Sequence, residues 1–141
     1  METIERWYTK HFDFTRRRVY VSTPEIPLPS QDQAGLAVAG VIIGSGSMRL
    51  ELLPATSESP APRPEADGPS YPAYRHFAFG VDDVDAKLAE MGEDAEITLG
   101  PLDMSQFIEG MRVAWITDPE GNIVELNQGY TDEKSPPPLG S

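Results

Sequence analysis

The sequence predicts an α+β fold made of two successive β-α-β-β-β units, the first of which lacks its opening strand. Residues 74–128 alternate apolar and polar positions through four strand-like runs with one short helical pattern after the first run. Residues before Leu53 repeat that order more weakly, and Arg49-Leu50-Glu51-Leu52-Leu53 echoes Asn122-Ile123-Val124-Glu125-Leu126-Asn127 at the equivalent place. A repeat of this kind bears on the whole fold and is read before any single element.

The second unit is the clearer one. Tyr74 to Val81 reads as a strand with Phe77, Phe79 and Val81 on one face and Tyr74, His76 and Ala78 on the other. Asp82 and Asp83 can cap the helix that follows, in which Val84, Leu88 and Met91 recur at helical spacing and Gly92 supplies the stop. That helix is expected to cover the Phe77/Phe79 face. Glu96 to Leu99 and Met111 to Thr117 read as strands, and Asp118-Pro119-Glu120-Gly121-Asn122 reads as a turn in which Pro presets one dihedral angle and Gly or Asn takes a positive one. Ile123 to Asn127 returns as a strand with Val124 and Leu126 on one side and Ile123, Glu125 and Asn127 on the other. By this register Glu125 points to the same side as His76.

In the first unit Arg18 to Ser22, Leu36 to Ile43 and Met48 to Leu53 read as strands, the last two joined by Gly44-Ser45-Gly46-Ser47. Glu51 then occupies the position of Glu125, one unit earlier. Met1 aligns with Val84, already at a helix start, so the first strand is expected upstream of Met1. An internal start, a real loss, or replacement by a partner chain would each account for this, the last because an open sheet edge invites pairing.

Composition sets outer limits. At 141 residues the chain fits one domain, with module one at 1–53, a Pro-rich connector at 54–73, module two at 74–128 and a flexible tail at 129–141. Pro24 to Gln33, Pro54 to Pro72 and Thr131 to Ser141 are rich in Pro and polar residues and are expected to be poorly ordered. There is no cysteine, hence no disulfide framework and no thiolate metal site. A net charge of -12 argues against nucleic acid as a partner, because phosphate binding needs Lys and Arg. The basic triplet Arg16-Arg17-Arg18 reads as a solvated strand start. No apolar run is long enough to span a membrane, and the start Met-Glu-Thr-Ile-Glu lacks the basic opening of a signal peptide, so a cytoplasmic protein without membrane partners is expected.

The stretch Tyr74-Arg75-His76-Phe77-Ala78-Phe79-Gly80-Val81-Asp82-Asp83, followed by Gly100-Pro101-Leu102-Asp103 and Trp115 to Asn127, resembles a complete module of the vicinal oxygen chelate superfamily. This is the glyoxalase, bleomycin-resistance and extradiol dioxygenase group. Ile4 to Phe14 resembles the family's first helix, with Phe12-Asp13-Phe14 in place of its usual Leu-Gly-Phe-like element. The resemblance implies a curved mixed sheet whose hollow collects imidazole and carboxylate ligands from both modules.

It nominates His76, Glu125 and Glu51 as metal ligands and Glu51 as the catalytic base. Nitrogen and oxygen donors alone do not choose among Zn, Ni, Fe(II), Mn and Co. A metal so held would polarise substrate oxygens while a carboxylate moves a proton. Met104, Phe107 and Trp115 surround the loop and strand that line the hollow in relatives and could form an aromatic substrate wall. Each has an ordinary reading: a strand histidine or glutamate is commonly a packed or surface residue, and alternation does not say which way Trp115 points. His11 lies on the helix, where surface or packing roles fit it.

Two function classes follow. One is a divalent-metal-dependent lyase or isomerase acting on a small oxygenated substrate, with an incomplete ligand set. An extradiol-type dioxygenase is a variant that would need Fe(II) and a second histidine. The other is a metal-free protein that binds or sequesters a small, antibiotic-type molecule. The resemblance also implies a homodimer.

Overall fold

The computed structural model describes residues 1–21, 38–53, 74 and 76–138. The predicted loops at 24–33 and 54–72 lie outside them. Two compact units divide the chain, Met1–Pro72 and Ala73–Ser141.

The first unit begins with helix α1 (Glu2–Phe12), whose buried residues Ile4, Trp7, Tyr8 and His11 follow the three-to-four spacing of one helix face. His11 is a packing residue, its ring 5.6 Å from that of Trp7. The helix ends at Asp13, which takes a left-handed conformation (φ 54°) and sends its N–H to the Tyr8 carbonyl. Strands β1 (Thr15–Val21), β2 (Val38–Ser45) and β3 (Met48–Leu52) form an antiparallel sheet in that order. The β2–β3 hairpin closes through Gly46 and Ser47 alone, because Ser45 still pairs with Met48 and Gly46 adopts φ 53°. Val41 and Ile43 are buried, and Glu51 pairs with Ile42 between them, so Glu51 faces the opposite side of the sheet.

The second unit contains β4 (His76–Gly80), α2 (Val84–Met91), a 3₁₀ turn (Gly92–Asp94), β5 (Glu96–Asp103), β6 (Arg112–Thr117) and β7 (Ile123–Gln128). Its sheet runs β4-β7-β6-β5, with β4 parallel to β7 and the other pairs antiparallel. The first strand starts at His76 rather than Tyr74, which is fully exposed, and β5 continues past Leu99 to Asp103.

Helix α2 is capped by Asp83, whose side chain accepts from Ala86 N–H at 2.8 Å, and stops at Gly92 with φ 59°. It packs on β6 and β7. Val84 and Met91 are buried on the helix, as are Ile116, Val124 and Leu126 on the strands. Each such side chain contributes roughly 1.5–3 kcal/mol by leaving water. Arg112 donates to both oxygens of Asp85, and Val84 N–H donates to Gln128 Oε1, which ties the start of the helix to this face of the sheet. Phe77 and Phe79 share the face, being paired with Val124 and Leu126. Their partners on alternate positions, His76, Ala78, Glu125 and Asn127, therefore face away from the helix.

The turn at 118–122 is organised by one buried carboxylate. Asp118 accepts from the N–H groups of Glu120 and Asn122 and from Asn122 Nδ2, while Gly121 takes φ 79°. That turn sets the register of β6 on β7.

Candidate functional site

Strand register brings the polar side chains of the second unit together. Ala78 on β4 and Trp115 on β6 are the two cross-strand partners of Glu125 on β7. His76 lies two residues before Ala78 on the same face, and Asn127 lies two residues after Glu125. The result is a cluster on the helix-free face of the sheet. His76 Nε2 stands 3.1 Å from Glu125 Oε2, with side-chain exposures of 30% and 14%. Trp115 Nε1 donates to the same oxygen at 2.9 Å, and Asn127 Nδ2 donates to Oε1 at 2.8 Å. The Trp115 and His76 rings lie 4.7 Å apart, tilted by 41°.

Both oxygens of Glu125 are thus held by neutral donors, and the imidazole of His76 stands beside Oε2. Among the described residues Asn127 Oδ1 is buried without a hydrogen-bond partner. Beside the cluster is a cleft of about 570 Å³ lined by Ala78, Gly80, Asp82, Glu125, Asn127 and Tyr130, among others. The hydrogen bond from Tyr130 to Asp132 raises the phenol's pKa.

The residues predicted from sequence fall in three places. His76, Glu125 and Trp115 meet in the cluster. Glu51 is exposed on β3 of the first unit. Met104 and Phe107 lie on the turn between β5 and β6, where Phe107 N–H donates to the Met104 carbonyl at 2.9 Å and the Phe107 side chain is well exposed; neither lines the cleft. Sequence reasoning missed Asn127 as a functional residue and Trp115 as a donor. Its signal was the hairpin itself: Trp115 stands two residues before Thr117 and Glu125 two after Ile123, and those two residues pair across the turn.

Donor chemistry allows a metal here in part. Two donors 3.1 Å apart are spaced as neighbouring ligands of one divalent ion would be, each about 2.0–2.2 Å from it. Hydrogen bonds that orient a ligating carboxylate are a normal accompaniment of such sites. Among the described residues no group of three or more His, Cys, Asp or Glu side chains converges.

The chain belongs to the Glyoxalase/Bleomycin resistance protein/Dioxygenase superfamily, whose family model matches residues 1–126. Solved structures agree on the fold. A glyoxalase family protein from Enterococcus faecalis is 22% identical with a TM-score of 0.61, covering 90% of this chain and 87% of its own. The trypanothione-dependent glyoxalase I of Leishmania major is 22% identical with a TM-score of 0.54, covering 92% of this chain and 78% of its own. The fosfomycin resistance protein FosX of Listeria monocytogenes is 12% identical with a TM-score of 0.55, covering 92% of this chain and 84% of its own. No curated protein matches the chain significantly. No helix among the described residues is long and apolar enough to cross a membrane.

Proposed function

We propose that this protein is a glyoxalase-like metalloprotein in which His76 and Glu125 supply ligands to a divalent ion and a small oxygenated substrate is turned over by a lyase or isomerase reaction. The observation that carries the proposal is the 3.1 Å approach of His76 Nε2 to Glu125 Oε2 on the helix-free face of a sheet, beside a cleft. A bound ion would act there as a Lewis acid on substrate oxygens. The cleft would hold the substrate, with Asp82 and Glu125 supplying acceptors and Tyr130 an aromatic surface. Glu51 is assigned proton transfer because its run Leu50-Glu51-Leu52 in the first module matches Val124-Glu125-Leu126 in the second. The two modules are proposed to work as one domain, and the protein as a homodimer; sedimentation as a clean monomer would remove the latter.

The test is metal binding by the full chain. Equilibrium dialysis against Ni²⁺ or Zn²⁺ is expected to give stoichiometric uptake that His76→Ala and Glu125→Gln each abolish. Uptake unchanged in both variants rejects the metal reading. Glu51→Gln separates its two assigned roles, since a base leaves metal affinity intact and a ligand does not.

A second reading, small-molecule binding without a metal, has one observation in its favour. Trp115 and Asn127 already engage both Glu125 oxygens, and the described residues bring no third ligand to the pair. No metal uptake, together with saturable binding of an antibiotic such as bleomycin or fosfomycin, would favour it.

A further inference from the structure

Glu125 is the only residue of the second unit whose two carboxylate oxygens are each held by a side-chain N–H from a neutral group, among the described hydrogen bonds. We infer that Trp115 and Asn127 are positioning residues that fix the Glu125 carboxylate with Oε2 turned to His76. The inference rests on the metal reading above.

Both donors are themselves held by the fold. Trp115 is the cross-strand partner of Glu125, half-buried, with its ring against the His76 imidazole. Asn127 follows on the same face of β7 and is 7% exposed. Its amide orientation is dictated by the contact, because the reverse orientation would set Oδ1 against Glu125 Oε1, acceptor against acceptor. A glutamate side chain has three rotatable bonds, and two fixed donors remove that freedom before any ligand arrives.

The neutrality of the donors matters as much as their placement. An Arg or Lys partner would orient the carboxylate equally well but would cancel the charge that attracts a cation. The indole is a donor only, and the amide carries no charge, so the carboxylate is aimed without being neutralised. Glu51 shows the contrast: its register partner is Ile42, whose side chain carries no hydrogen-bond donor.

The experiment is isothermal titration of the full chain with Ni²⁺, comparing the parent with Trp115→Phe, Asn127→Leu and His76→Ala, alongside thermal melts. Trp115→Phe keeps a ring beside His76 and loses the N–H; Asn127→Leu keeps the volume and loses the amide. Each is expected to weaken Ni²⁺ affinity about 10- to 100-fold in folded protein. A packing role predicts a lower melting temperature with the affinity of the folded protein unchanged. Affinities within about twofold of the parent in both folded variants, with binding abolished by His76→Ala, overturn the positioning role and leave the metal reading intact. Binding unaffected by His76→Ala, or absent in the parent, overturns both. Should Trp115→Phe not fold, Asn127→Leu decides the question at Oε1 alone.

Discussion

Glu51 and Glu125 lie in matching sequence runs on β3 and β7, yet only one of them is organised. Each faces away from the buried side of its sheet and lies opposite a residue of the preceding strand, Ile42 for Glu51, three pairs beyond the closing Ser45–Met48 pair, and Trp115 for Glu125, two pairs beyond Thr117–Ile123. The second sheet adds β4 on the other side of Glu125, bringing His76, whereas β3 has β2 as its one neighbour in the first sheet. Glu51 is exposed and makes no side-chain hydrogen bond or ion pair with a described residue; Glu125 is nearly covered and has three polar neighbours, Trp115, Asn127 and His76. A carboxylate between two apolar strand residues becomes a defined chemical group here only where the neighbouring strands carry donors at its level.

That contrast can be attacked at several strengths. The largest effect is expected on the helix-covered face of the second sheet: Leu126→Ala, at a fully buried position behind Glu125, should cost about 2–5 kcal/mol in urea unfolding. Glu125→Ala strands the Trp115 and Asn127 donors and should cost about 1–3 kcal/mol. Glu51→Ala should stay within about 0.5 kcal/mol. Equal costs for the two substitutions would erase the distinction between the modules.

A smaller effect concerns the first unit's own ordered carboxylate. Glu5 receives two hydrogen bonds from Arg16, which lower its pKa despite partial burial. Because the folded-state value is depressed, the pair's contribution is present above the ordinary carboxylate range and is lost as pH falls through the lowered value. Glu5→Gln should therefore cost about 0.2–1 kcal/mol at neutral pH and progressively less in acid. A cost that grows on acidification would contradict the assigned direction.

Much of the second unit was legible in its sequence for identifiable reasons. Alternation from Phe77 to Gly80 and from Ile123 to Asn127 separated the helix-covered face from the other, and Asp83, Gly92 and the Asp118 turn marked the ends of elements by their backbone chemistry. The role of Trp115 was not legible from alternation alone, since one strand read singly does not reveal which residue lies opposite; it needed the hairpin pairing. The extension of β5 to Asp103 escaped notice because Gly100 and Pro101 read as a strand end. The strand expected to end at Ile43 runs on to Ser45 in β2, since the Gly44-Ser45 pair remains in the ladder and only Gly46 and Ser47 turn; residues 36–37 of the expected strand lie outside the described residues.

The chain contains two tryptophans, and they report on different halves. Trp7 is buried in the first unit against Tyr8 and His11, whereas Trp115 is partly open and touches both an imidazole and a carboxylate. With Trp7 replaced by Phe, the remaining indole emission becomes a built-in optical gauge of what happens at His76 and Glu125, read without a label and without knowing the substrate.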